Sequence, residues 1–415
     1  MWKNIYRPGA KAGHFLYALA LSGIGYGLYR GIQDNYLAEV FRISRFERGL
    51  VEFCREVPGL LVILILAGMY RFSESRIFKI GSAVMLAGLL GLFSGAAGPW
   101  LSAKVQMILF MVIYSAGEHI VMPVKSTIPL ELARQGQGGA SLGLSGALSH
   151  LGHITGYAMV TVLFFIFART GFGGTPRFKA VFAAAAVLTG AAAAVALGMG
   201  ETKGKKPRRR FYFHRKFSKY YMLEIFYGAR KQIFLTFAPY VLILHYGADT
   251  SIISLLMGIC ALCGFAVSPF LGKLIDRAGY KAVMVGDTLL LVLVCLFYGF
   301  AHRIFPPAAA YTVVCVNYVL DSIISLASMA SNVYVKDLAE SQEELTATVS
   351  TGISVNHLIS ILIALSGGWL WEKTGIEVLF SLSALLGIVN SLYAATIKVK
   401  GGKRHENSDP RRLCP

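Results

Sequence analysis

A chain of 415 residues that is 55% hydrophobic and 15% charged, with a mean hydropathy of +0.58, does not have the composition of a soluble globular protein, which carries roughly 25% charged residues. Its formal net charge of +18 does not by itself indicate nucleic acid, because the basic residues collect in short segments between long apolar runs.

Those runs are about 20 residues long or more, the length that carries a helix across a roughly 30 Å hydrocarbon layer at about 1.5 Å per residue. In chain order they predict spans over 13–39, 50–70, 77–97, 104–124, 139–168, 178–199, 218–245, 250–271, 282–301, 307–333, 346–370 and 376–397. The basic start Met1 to Lys11 leads into a run that is too long for a signal h-region and lacks a small-residue cleavage site, so it is retained as the first helix. The expected fold is all-α and polytopic, with twelve transmembrane helices.

With the N-terminus in the cytoplasm, and residues at span edges counted with the adjoining loops, 27 of the 40 Lys and Arg fall in cytoplasmic segments, nine in external loops and four inside spans. The positive-inside rule then places both termini in the cytoplasm, of a multi-pass protein in the cell membrane of a bacterium, its inner membrane. The densest basic cluster, Lys203 to Lys219, separates spans six and seven and reads as a linker that touches lipid headgroups. Cysteines 54, 260, 263, 295, 315 and 414 are scattered, and most lie in or near apolar runs as small hydrophobes. Cys260-x-x-Cys263 has no nearby His or Cys partner, so neither a metal nor another cofactor is expected.

The chain repeats itself. Glu131-Leu-Ala133 and Ser149-His-Leu151 recur as Asp337-Leu-Ala339 and Asn356-His-Leu358, while Tyr29 followed by Tyr36-Leu37 recurs as Tyr227 followed by Phe234-Leu235, at offsets of 198 to 207 residues. Parallel repeats of this kind build transporters from two halves. The expected organisation is an N-terminal six-helix half over 1–199, a basic linker over 200–217, a C-terminal six-helix half over 218–399 and a tail over 400–415.

Between spans eight and nine stands Gly272-Lys-Leu-Ile-Asp276-Arg277-Ala-Gly279-Tyr-Lys281, which resembles the G-x-L-x-D-R-x-G-x-K loop of the major facilitator superfamily. The resemblance implies a gating loop of Gly272, Asp276, Arg277, Gly279 and Lys281: glycines for a tight turn, Asp276 for a helix cap, and basic groups that pair across the halves. Its first-half counterpart, Gly68 to Arg76, has Phe72 where the family has Asp, with Glu74 as a stand-in. In that superfamily spans one, four, seven and ten line the central cavity and every third span faces lipid. The charges of this sequence follow the same rule, since spans three, six and twelve are almost free of them in their middles.

An ionisable group at membrane depth costs at least a few kcal/mol, about 2.5–3.5 for Arg or Asp at the centre of a span, and is a functional candidate by default. Arg230 and Lys231 lie near the midplane, where they can meet an anionic group of a solute; Tyr29, Arg30, Gln232 and Asn317 are further candidates for solute binding. Glu118 and Asp321, at matching depth in spans four and ten, and Asp34 are candidates for proton coupling, because a partly desolvated carboxylate can take up a proton near working pH. Arg30 with Asp34, at i,i+4, and Glu52 with Arg55 and Glu56 read as ion pairs that close the mouth. His150, His153 and His357 read as polar packing, beside the small residues Gly139, Gly143, Gly152 and Gly156 of helix five. The expected function is alternating-access transport of a small anionic organic solute by a monomer, driven by a proton or another coupling ion, with no catalytic residues. Drug or sugar efflux, with Tyr29, Gln232 and Asn317 holding a neutral sugar, and a non-transporting receptor or channel are the alternatives.

Overall fold

A computed structural model describes residues 4–7, 11–69, 71–95, 101–200 and 212–398; most of the expected linker and the tail lie outside the described residues. The helices are α1 (Ala12–Asn35), α2 (Arg45–Gly68), α3 (Glu74–Ser94), α4 (Ala103–Leu132), α5 (Gly138–Thr170), α6 (Thr175–Leu197), α7 (Ser218–Leu244), α8 (Thr250–Ala278), α9 (Tyr280–Ile304), α10 (Pro307–Ser325), α11 (Met329–Leu338), α12 (Gln342–Thr374) and α13 (Ile376–Ala395). A short 3-10 turn, Leu326–Ser328, joins α10 to α11 within one long span, so the thirteen helices make twelve crossings.

Local chemistry marks the helix ends. The hydroxyls of Ser73, Ser102 and Ser341 and the carboxylate of Asp249 accept amide hydrogen bonds in the first turns of α3, α4, α12 and α8, and Ser44 forms a reciprocal capping box with Glu47. Among the described residues nine spans are long and apolar enough to cross a membrane on length and composition alone. The three outside that group, α1, α2 and α7, are the ones in which polar residues interrupt the apolar run. Helices α4 and α8 run well past the expected ends at 124 and 271, to Leu132 and Ala278, because polar residues beyond the hydrocarbon continue a helix as readily as apolar ones.

Packing shows the repeat directly. In the first half α1 packs on α5 and α6, α3 on α4 and α6, and α2 on α4; in the second α7 packs on α12 and α13, α9 on α10 and α13, and α8 on α10. Each contact maps onto its counterpart when six spans are added. The repeated tripeptides also match in structure: Ala133 ends α4 and Ala339 ends α11, both in extended backbone. Within the first half Gly23 and Gly27 of α1 sit against Gly152 and Gly156 of α5, where an added methyl on Gly152 would come within 2.9 Å of the Gly23 Cα. This is the close approach that small residues permit between membrane helices. At the other two glycines of the expected stripe, Gly139 and Gly143, an added methyl would meet nothing within 4 Å among the described residues.

The main contacts between halves are α2 on α12 and α5 on α8, two contacts that the pseudo-twofold exchanges. From the middle of the spans, where Glu56 meets His357, these contacts continue toward the end of the bundle remote from the N-terminus. There Gly49 seats against Ala364 and Gly368, the Arg45 guanidinium stands 5.5 Å from the Trp371 ring centre, Ser254 donates to the Tyr157 carbonyl at 3.0 Å, Asn35 to that of Ala248 at 3.1 Å and Tyr240 to that of Ile43 at 2.7 Å. The bundle is sealed at this end. At the other end Tyr6 and Arg7 are tied to the end of α4, and the end of the linker is tied to α12 by Tyr212 and Lys216, which both bond Glu344. The Glu340 amide, Lys216 and Tyr212 together hold the Glu344 carboxyl down at about 2.

Candidate functional site

The polar residues at membrane depth fall into two groups, one in each half. In the first half the expected Arg30–Asp34 pair does not form. Arg30 donates to Gln33 at 2.7 Å, while Asp34 meets Arg48 of α2 at 2.9 Å, both side chains fully buried. The contact with α2 decides this, since the start of α2 delivers Arg48 to the end of α1 and leaves Arg30 one turn away. From Arg48 the charges alternate along α2: Arg48 to Glu52 at 2.9 Å, Arg55 to Glu52 at 2.6 Å and Arg55 to Glu56 at 2.9 Å. Arg55 also reaches Glu118 of α4 at 3.9 Å, and Glu56 accepts from His357 of α12 at 2.9 Å. The Glu52, Arg55 and Glu56 cluster is thus one continuous chain from Asp34 across to the opposite half.

Among the described residues Glu118 is half-buried, and its ion-pair contact is the long one to Arg55. Two turns further along α4 lies half-buried Lys125, which the sequence reading omitted because it ended the span at 124. The i+7 spacing from Glu118, on one face of a helix, is the signal that finds it.

In the second half Arg230 is 2% exposed. Its carboxylate neighbour is Asp287 of α9, at 3.8 Å, not Glu118 or Asp321, and among the described residues none of its guanidinium nitrogens has a hydrogen-bond partner. Lys231, about 100° round the helix, is half-buried. Both cations approach the ring of Tyr227, at 5.2 and 5.8 Å from its centre. Asp321 on α10 is half-buried. Glu224, one and a half turns before Arg230, is buried and accepts from Ser331 at 3.1 Å; the sequence reading did not single it out.

The neutral candidates turn into their own halves. Tyr29 is fully buried with its ring 4.1 Å from that of Tyr114, Gln232 donates to Thr236 at 2.7 Å, and Asn317 donates to the Val313 carbonyl at 2.7 Å. The repeated histidines part company too. His150 is exposed and 6.0 Å from His153, whose ring lies against Tyr26, whereas His357 joins the interface between halves.

The gating-loop residues occupy a shorter loop than expected. Gly272, Asp276 and Arg277 are still in α8, and Lys281 is already in α9, leaving Gly279 as the whole turn at φ +82°, a conformation that favours glycine. Asp276 lies in the last turn of α8 and so does not cap α9, and Gly272, two turns before the end of α8, is not a turn residue. The first-half counterpart, Glu74, is buried and accepts from Thr127 of α4 at 2.9 Å.

Although the sequence contains no metal-ligand motif, the fold gathers one potential set among the described residues. Glu56, His119 and His357 present ligand atoms that all lie within 4.8 Å of one another.

The fold is two pseudo-symmetric six-span halves, each with buried and half-buried charged residues along its spans. The sequence model described as the Major Facilitator Superfamily matches residues 220–413, the C-terminal half. No curated protein matches the chain in sequence. Among solved structures, the nucleoside transporter NupG is similar over 95% of this chain and 100% of its own, at 14% identity and a TM-score of 0.72. The xylose transporter XylE from E. coli, in an inward-open conformation, is similar over 94% of this chain and 97% of its own, at 13% identity and 0.71. A POT family transporter in complex with 5-aminolevulinic acid is similar over 92% and 94%, at 12% identity and 0.72. The C-terminal half, which carries the resemblance at Gly272 to Lys281, matches the superfamily's model, and the whole chain has the fold of these solved structures.

Proposed function

We propose that this protein is a proton-coupled secondary transporter of a small anionic organic solute. The observation that carries the reading is the pair Arg230 and Lys231: two adjacent cations share one tyrosine ring, and the buried guanidinium has a single carboxylate contact, at 3.8 Å, and no hydrogen bond among the described residues. A desolvated guanidinium is stabilised by an anion that accepts from its fork, and a solute carboxylate or phosphate supplies one. Tyr29, Gln232 and Asn317 already bond or pack within their own halves, which weakens the neutral-sugar reading. NupG carries nucleosides and XylE xylose by their names, so the fold alone does not choose the solute.

Proton coupling is supported by the charge balance of the C-terminal half. Arg230 and Lys231 lie near Glu224, Asp287 and Asp321, three carboxylates for two cations, so an anionic solute that enters adds a negative charge for which a proton on one of them is the simplest compensation. Asp321, half-buried on a cavity-lining span, is the leading carrier, with Glu118 its counterpart. Alternating access is supported by the one-sided seal and by the uncovered Gly139, Gly143 and Gly146 on α5, a small-residue face suited to helix contact when the open end closes.

Proteoliposome uptake of a labelled panel of organic anions, sugars and nucleosides, with and without an inward proton gradient, tests the reading. Accumulation of an anion that requires the gradient is expected. Asp321→Asn should lose that accumulation and keep counterflow exchange, which needs no net proton release; gradient-driven accumulation left intact in both Asp321→Asn and Glu118→Gln would rule these carboxylates out. The cytoplasmic placement of both termini predicts that a cysteine at Glu340, whose side chain is 86% exposed, is labelled only from the cytoplasm and one at Gly173 only from outside. The reverse pattern would invert the assignment of the sealed end to the exterior.

A further inference from the structure

We propose that Glu56, His119 and His357 form a binding site for a divalent transition-metal cation, and that the ion clamps the two halves together in the conformation seen here. The three come from α2, α4 and α12 and so from both halves, and His357 stands 238 residues from His119 in sequence.

The donors are arranged as a metal site requires. His119 donates from Nδ1 to the Ser115 carbonyl at 2.8 Å, which fixes its tautomer and leaves the Nε2 lone pair free, the support that metal-bound imidazoles ordinarily have. Glu56 is held through Oε1 by Arg55 at 2.9 Å, leaving Oε2 toward His357. Arg55 is the cation next to the site, and it is shared with Glu52 and Glu118, so it does not neutralise Glu56 alone. Glu56 and His119 are buried, and the two imidazole rings meet edge to face at 5.1 Å.

Room for the ion comes from Gly59. A Cβ there would lie 2.6 Å from His119 Nε2 and 3.0 Å from His357 Nδ1, so the nitrogens converge on a space that any other residue would fill, and the ion would replace the proton through which His357 Nδ1 now bonds Glu56, releasing it to solvent. Two imidazoles and one carboxylate with an open position suit zinc or another first-row divalent ion rather than calcium or magnesium. Bonds of about 2.0–2.2 Å require the donors, now within 4.8 Å, to draw together by about 1 Å, a movement within reach of side-chain rotation.

Because α12 supplies one ligand, the full set exists only while α2 and α12 are in contact. A ligand that binds one conformation better shifts the population toward it by that difference in affinity. Micromolar zinc should therefore arrest transport, a consequence that rests on the alternating-access reading, whereas the site itself does not.

The test uses the full-length protein without a histidine tag, stripped of metal, in detergent. Zn2+ titrated by calorimetry should bind once per chain and raise the thermal unfolding midpoint, while Ca2+ should do neither. His119→Gln, His357→Gln and Gly59→Ala should each weaken Zn2+ binding by roughly 100-fold or more, since each removes a ligand or fills the cavity. Gly59→Ala keeps all three ligands, and His150→Gln, outside the site, should leave binding unchanged. Absence of Zn2+ binding, or binding as tight as the parent's in both histidine variants, would overturn the site. Nitroxides at Ala140 and Lys273, in a cysteine-free background, then read the open end of the bundle: Zn2+ should collapse their distance distribution to one population. Binding that leaves the distribution unchanged would keep the site and refute the clamp.

Discussion

Arg48→Ala should be the most destabilising single change in the α2 charge chain, with a loss of about 3–5 kcal/mol by the scale of buried pairs broken on one side. Arg48 is fully buried, and it meets Asp34 and Glu52 at 2.9 Å each. Removing it leaves two carboxylates deep between α1 and α2, with Arg55 as the nearest remaining cation to Glu52. The Asp34 contact is an ion pair without hydrogen-bond alignment, since its oxygens and Arg48 Nη2 have no hydrogen-bond partner among the described residues, so its contribution is chiefly Coulombic. Thermal unfolding in detergent reads the effect, and Arg48→Ala with Asp34→Asn should recover a large part of the loss. No recovery in the double variant would mean that Arg48 acts through packing, for instance against the Tyr240 ring 5.8 Å away, rather than through charge.

What the sequence disclosed and what it concealed divide along the range of the interactions. The twelve crossings were legible because each is a property of about 20 consecutive residues, and the two halves because the repeats at Ala133 and Ala339 end equivalent helices. The partners of the buried charges were not. Arg30 and Asp34 are one turn apart, and helix geometry alone pairs them; the competing contact with Arg48 depends on where α2 begins after the turn at Phe41 to Ser44. Likewise Asp287 is not among the candidates that the sequence singles out, yet α9 packs so that it, and not Asp321, comes within 4 Å of Arg230. The triad of Glu56, His119 and His357 has no local spacing at all, because α2, α4 and α12 meet only through the fold. Lys125 is a different case: its signal was present at i+7 from Glu118, and a span boundary drawn at 124 hid it.

Arg230→Lys should raise the apparent Km for the transported anion by about 10-fold to 100-fold, equivalent to roughly 1.4–2.7 kcal/mol, while the protein inserts and unfolds as the parent does. The expectation follows from geometry: a planar fork can bind two oxygens at once, and a lysine ammonium replaces it only as a point charge. The competing reading is that Arg230 serves Asp287, 3.8 Å away, and holds α7 to α9. The two readings separate in the alanine variant. If Arg230 is structural, Arg230→Ala should unfold at a markedly lower temperature and be restored by adding Asp287→Asn, because the second change removes the stranded carboxylate. If it contacts the solute, Arg230→Ala should lose the thermal stabilisation that the transported anion gives the parent, a stabilisation set by RT ln(1 + [L]/Kd), and Asp287→Asn should not bring it back. Solute-induced stabilisation that survives intact in Arg230→Ala would sink the anion site at this position, leaving Lys231 and the N-terminal cations Arg30 and Lys125 as the groups through which an anion would have to be held.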